Sequence, residues 1–262
     1  MAAQDLFLFP RLRQTLVRAA KAAMPNELAG VIMDGEFVQL ENVADDPENN
    51  FALSTQDMVR YVYTPECRAV VHSHPAIREE GQPARMRLSP SACDMQHQLD
   101  VAKPYVIVAE NPETGVWETF DFGGHTIDYP ILDRPFRHGV EDCYELIRKW
   151  HWQNRFDELI PMPRDDLWFG SVENKIEPSA NLYLDHFEKC GAGRIYPRSP
   201  KDLLPGDVFL FKLLAKVWNH GGVYVGNGQA WHHPPGRYAQ KLVITEAWFR
   251  KTIWLRKKDL ML

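Results

Sequence analysis

Arg68-Ala69-Val70-Val71-His72-Ser73-His74-Pro75 is a short apolar strand that ends in two histidines. Alternate side chains of a strand point to one face, so His72 and His74 project side by side. Two imidazoles in that relation can hold one divalent metal. A third ligand is available downstream at Asp94, in Leu88-Ser89-Pro90-Ser91-Ala92-Cys93-Asp94, and a carboxylate base upstream at Glu27, in Pro25-Asn26-Glu27-Leu28-Ala29-Gly30. Ser89 followed by Pro90 reads as an N-cap with proline at the first helical position, with Ser91 and Asp94 on one face of the first turn. Three protein ligands and a water make the open coordination of a catalytic zinc site. Glu27 can then accept a proton from that water, and Ser91 can donate to a developing oxyanion.

Around this strand the first half alternates helices and strands. Leu6, Leu12, Leu16, Val17 and Ala20 give a helical stripe over 5–23. Val31–Val38 reads as a hairpin closed by Asp34-Gly35. Further helices are expected at 55–63 and 90–102, and strands at 105–108 and 116–120. Gly123-Gly124 through Pro135 is rich in Gly and Pro, which places a linker at about 123–134 and two domains at 1–124 and 125–262. The fold class is α+β in two domains.

The arrangement Glu, His-Ser-His-Pro, Ser-x-x-Asp resembles the JAMM (MPN+) metalloprotease family over about residues 5–124. The resemblance implies a zinc peptidase with ligands His72, His74 and Asp94, base Glu27 and oxyanion donor Ser91. That family usually has seven residues between the second histidine and the serine. Here there are sixteen, and the extra charged stretch, about 76–87, reads as a surface loop beside the site and a candidate substrate lid.

In the second half, Asp142 to Trp150 reads as a helix with Cys143 in its first turn, where the dipole and free N–H groups favour a thiolate. A nucleophilic cysteine needs a base. His220 opens the strand in Trp218-Asn219-His220-Gly221-Gly222-Val223-Tyr224-Val225-Gly226, and an Asn227-Gly228 turn returns the chain through Gln229–His233. That hairpin can bring a third residue behind His220 to orient its ring. His232 and His233 are adjacent, and alternation turns only one of them inward. Cys190 has no histidine partner and reads as structural, and Cys93 as a helix-packing residue. The stretch 151–178 reads either as a specificity loop or as a surface excursion.

Asp142-Cys143, Leu204-Pro205-Gly206-Asp207-Val208-Phe209 and the His220-Gly-Gly-Val-Tyr-Val-Gly hairpin are similar to the NlpC/P60 family of papain-like cysteine peptidases over about 135–245. The resemblance implies a peptidoglycan endopeptidase with Cys143, His220 and His232 as its triad. A JAMM domain joined directly to an NlpC/P60 domain resembles the tail assembly protein K family of lambdoid siphophages, as does the run His138–Arg148. That resemblance implies other phage tail-tip proteins and peptidoglycan stem peptides as partners, Zn2+ as cofactor, and a place at the virion tail tip or in the host cytoplasm during assembly. It leaves two alternatives: a maturation protease working through the JAMM site, or a structural tail-tip component with vestigial sites.

Composition narrows the classes. With 45% apolar and 25% charged residues and a net charge of −5, the chain has an ordinary globular balance and no basic stripe for nucleic acid. No apolar run reaches transmembrane length, and Met1–Phe7 has no signal-peptide pattern. Cys67, Cys93, Cys143 and Cys190 show no ribbon or CxxC spacing, which fits a reducing compartment.

Overall fold

A computed structural model describes residues 10–78, 84, 87–123, 130–154, 159–166, 168–170, 177–178 and 181–257. The chain divides into two compact units, Met1–Thr126 and Ile127–Leu262.

The first unit runs α1 (Pro10–Ala23), β1 (Ala29–Met33), β2 (Glu36–Leu40), α2 (Thr55–Asp57), β3 (Cys67–His74), α3 (Ala92–Val101), β4 (Tyr105–Glu110) and β5 (Trp117–Phe122). The strands form one sheet in the order β2-β1-β3-β4-β5. Only β3 and β4 run parallel. The β1–β2 hairpin turns on Asp34 and Gly35, both at positive φ, the conformation a two-residue turn of this hand needs. Pro10 is the first helical residue of α1, where its missing N–H costs nothing; residues 5–9 of the expected helix lie outside the described residues. Leu12, Leu16 and Ala20 pack with Ala69, Val71, Val106 and Val108 as one core. Odd positions of β3 therefore serve that core, and His72 and His74 take the opposite face.

Two expectations are corrected here. The helix expected at 55–63 is one α turn continued by a π turn over Met58–Val62. The N-cap of α3 is Ser91 rather than Ser89, because Ser91 and Asp94 form a reciprocal capping box that fixes the helix start two residues later.

The second unit runs α4 (Cys143–Gln153), α5 (Leu182–Lys189), β6 (Ala192–Ile195), β7 (Val208–Phe211), β8 (His220–Gly226), β9 (Gln229–His232), β10 (Gln240–Val243), α6 (Glu246–Phe249) and β11 (Ile253–Lys257). Its antiparallel sheet has the order β10-β9-β8-β7-β11-β6. α4 packs on β8, with Leu146, Ile147 and Trp150 in a core shared with Val208, Leu210, Val223 and Leu255. Gly221 and Gly222 leave room for the neighbouring strands β7 and β9 to pass close to β8. A Cβ on Gly222 would lie 2.3 Å from the Trp231 carbonyl oxygen, and one on Gly221 would lie 2.8 Å from that of Phe209. Leu159, Met162, Arg164 and Trp168 are buried, while Ile160, Asp165 and Asp166 between them are exposed, so the described part of 151–178 runs over the surface and anchors itself in the core at these four side chains. Among the described residues no helix is long and apolar enough to cross a membrane.

Candidate functional sites in the two units

In the first unit β3 carries His72 and His74 to one point. Their Nε2 atoms are 3.1 Å apart. Asp94, delivered by the capping box of α3, sets its two carboxylate oxygens 3.2 Å from His72 and 3.4 Å from His74. A metal bound at ~2.0–2.1 Å to nitrogen would impose tetrahedral ligand separations of about 3.4 Å, so these side chains fit a divalent cation. Glu27 reaches the same place: its carboxylate and the two imidazoles have donor atoms all within 4.8 Å of one another. His74 Nδ1 faces the Arg87 carbonyl at 2.9 Å; donating there leaves Nε2 with its lone pair free for a ligand. His72 stacks on Phe51 with ring centroids 4.2 Å apart. Burial pushes the His72 pKa down and favours the neutral ring. Burial alone would raise Asp94, but the neighbouring His72 and His74 more than offset it and hold the carboxyl well below its usual range.

Two roles look different in the folded chain. The Ser91 hydroxyl donates to Asp94 Oδ2 at 2.8 Å. A hydroxyl has one proton to give, so Ser91 here orients the third candidate ligand rather than offering a free oxyanion donor. Glu27 is buried and ion-paired with Arg87. Arg87 ends the long insertion, whose start is tied to β4 by Arg78 and Glu110, 2.6 Å apart. The middle of the candidate lid, 79–83 and 85–86, lies outside the described residues. Cys93, expected to pack, is exposed, with its sulfur 3.8 Å from His97 Nε2.

In the second unit Asp142 caps α4, accepting from the backbone N–H groups of Tyr144 and Glu145 through Oδ1 and of Gly139 through Oδ2. The buried Arg164 guanidinium pairs with the same carboxylate and donates to the Met162 carbonyl at 2.6 Å. Burial pushes Asp142 up, but Arg164 and then His138 bring it down to about 2. Cys143 follows directly as the first helical residue. Its sulfur lies 3.2 Å from the buried Tyr183 hydroxyl, and the backbone N–H of Gly221, next to His220, also reaches it.

The expected helix-start thiolate is corrected by this environment. Burial first, and the Asp142 charge second, push the thiol up to about 12, and the stabilising contacts from Tyr183 and Gly221 do not offset them. The sulfur's hydrogen-bond partner is the Tyr183 hydroxyl, and burial favours the neutral thiol over a thiolate–imidazolium pair.

His220 sits behind it at the start of β8. Its Nε2 is 3.3 Å from His232 Nδ1, and His232 Nε2 is 3.3 Å from the Gln240 amide. His233 turns the other way, onto the Phe136 ring. Burial, with His232 beside it, lowers His220 to about 3; burial, with His233 beside it, lowers His232 to about 4. The chain of contacts sets the proton positions. For His220 Nδ1 to accept a proton, its Nε2 must carry one and donate it to His232. His232 Nε2 then carries a proton too, and the Gln240 amide accepts it when turned oxygen-inward.

Residues 118–257 match the NlpC/P60 family. The tail tip assembly protein K of Escherichia phage lambda is 32% identical over 200 residues, covering 76% of this chain and 86% of that protein. The protein of the same name in Escherichia phage N15 is 29% identical over 245 residues, covering 92% of this chain and 91% of that one. The chain belongs to the lambdoid phage tail assembly protein K family.

Three residues of this K-family chain were not singled out from its sequence. Tyr183 and Gln240 touch the candidate triad only through folds of the chain 40 and 8 residues long. Arg164 carries a signal that could have been read, a cation between Pro163 and two aspartates in a segment rich in apolar residues. Asp207 of the Pro-Gly-Asp motif is structural: its carboxylate caps Leu204 at 2.8 Å and pairs with Arg256 through two contacts of 2.6 Å.

Proposed function

We propose that this K-family chain works at a phage tail tip, in assembly and in local digestion of the cell wall during DNA entry, and that its second unit is a cysteine endopeptidase cutting peptidoglycan stem peptides. The observation that carries the reading is the capped Cys143 at the start of α4, laid against the β8–β9 hairpin whose His220 and His232 are hydrogen-bonded. In the reaction the Cys143 proton passes to His220 and the sulfur adds to the peptide carbonyl carbon. His220 returns the proton to the leaving amine, and water then releases the acyl group. Substrate must draw the sulfur from Tyr183 towards His220 for this to begin. The test is mass spectrometry of soluble products from purified peptidoglycan, with wild type, Cys143→Ala and Glu27→Gln compared. Products from wild type and Glu27→Gln but none from a folded Cys143→Ala support the reading; products from Cys143→Ala refute it.

The first unit supports a second reading, a JAMM-type zinc peptidase that trims a tail protein. Its support is the convergence of Glu27, His72, His74 and Asp94. A zinc ion held by His72, His74 and Asp94 would supply Lewis acidity and an acidified water. Glu27 would accept the proton after parting from Arg87, and Ser91 would keep Asp94 in place. Shortening of a co-expressed tail protein that is lost with Glu27→Gln and His72→Ala supports this reading; an unchanged partner mass counts against it.

A further inference from the structure

Phe211, Trp218 and Trp248 wall a groove of about 350 Å³ on the second unit, with Ala247 beside them and Lys212 and Lys251 on the rim. Its volume lies at the lower end of the ~300–1,000 Å³ typical of ligand sites. Two of its walls are also the support of the histidine pair. The Phe211 ring is 4.8 Å from the His220 ring and 4.7 Å from that of Trp248, which in turn meets His232 at 6.1 Å. The groove is therefore one aromatic ring away from the proposed general base, which does not itself line it.

The charge of the groove is distinctive. The Lys212 ammonium lies 5.1 Å from the centre of the Trp218 ring, which holds it at the groove by a cation–π contact. Both lysines are exposed, and among the described residues neither has an ion-pair partner. Two cations at an aromatic groove, neither ion-paired among the described residues, in a chain of net charge −5, match an anionic ligand with an apolar body. Carboxylates can take charge-assisted hydrogen bonds from the ammonium groups, and methyl or methylene groups can pack on the rings.

We propose that this groove is a substrate subsite that takes a carboxylate-bearing stretch of the peptide, so that the chain prefers stem peptides with free carboxylates over amidated ones. The proposal rests on the peptidase reading of the second unit, and binding separates the two. The full chain carrying Cys143→Ala is titrated, by tryptophan fluorescence, with a stem tetrapeptide in free-acid form and with its amidated twin. The free acid binds about tenfold tighter, the effect of roughly 1.4 kcal/mol. Adding Lys212→Glu and Lys251→Glu removes the preference; adding Lys216→Glu, a lysine outside the groove that pairs with Glu177, leaves it. Equal binding of the two peptides, or an equal loss with Lys216→Glu, overturns the subsite. Charge-selective binding without cleavage by wild type upholds the subsite and sinks the peptidase reading; cleavage with charge-blind binding does the reverse.

Discussion

Ser73 and Leu28 are joined in both directions: the Leu28 N–H donates to Ser73 Oγ at 2.7 Å, and the Ser73 N–H donates to the Leu28 carbonyl at 3.1 Å. The serine between the two histidines thus fastens the strand that carries them to the residue after Glu27. Ser73→Ala leaves the buried Leu28 N–H unpaired, at a cost of ~1–3 kcal/mol. Urea denaturation should show an unfolding free energy lower by that amount, read as a lower midpoint with the slope unchanged.

Zinc should stabilise the first unit by mass action. At a hundredfold excess over its dissociation constant the gain is ~2.7 kcal/mol, read as a rise in melting temperature. His74→Ala should abolish the rise, because it removes one of the donors that meet 3.1–3.4 Å apart. A rise in His74→Ala equal to that of wild type would mean that zinc binds elsewhere.

Arg164→Met should be among the most damaging single changes in the second unit. It strands Asp142, almost fully buried, without its cation; breaking a buried pair on one side costs ~3–5 kcal/mol. The double variant Asp142→Asn/Arg164→Met should recover much of that loss, because no bare charge is left. Chemical denaturation of both variants checks the difference.

The patterns of the sequence were enough to locate β3, a short bounded apolar run, and α3 and α4, each of which starts close to a capping residue. They also marked His72, His74 and Asp94, which a strand and a Ser-x-x-Asp helix start bring together over short distances. What they could not reveal were partners set by long-range packing. Arg87 returns to Glu27 across 60 residues, and Tyr183 to Cys143 across 40. These two contacts change the surroundings of both candidate sites, since one ion-pairs Glu27, the candidate base, and the other holds Cys143, the candidate nucleophile. The elements β6, β10, α6 and β11 are four or five residues long, too short for a period to stand out. The thiolate expected at the helix start is disfavoured first by the burial of the sulfur, which long-range packing sets, and second by Asp142, the capping anion beside it.

Acid should destabilise the second unit from near pH 6.5 downwards. His220, His232 and His151 have native pKa values lowered to about 3, 4 and 4, chiefly by burial. Between those values and the unfolded value near ~6.5 the unfolded chain binds more protons, so stability falls as pH falls and levels off below about pH 3 for these groups. Asp142, lowered to about 2, adds a further loss between about pH 4 and pH 2. Urea midpoints at pH 7.5, 5.5 and 4.5 should decrease in that order, and His151→Phe should flatten the slope.

Cys143 should be slow to alkylate in the free protein. Its sulfur is buried against Tyr183 with the thiol pushed up to about 12, whereas Cys93 is exposed. Thiolate is the reactive form, so iodoacetamide at pH 7 should label Cys93 first, followed by peptide mass spectrometry. A bound stem peptide that draws the sulfur to His220 should speed labelling of Cys143 at positions the ligand leaves open. Gln240→Leu should blunt this acceleration, because His232 then lacks the acceptor that sets the tautomer of His220. Cys143 labelling ahead of Cys93 in the free protein would show that the thiol is already activated.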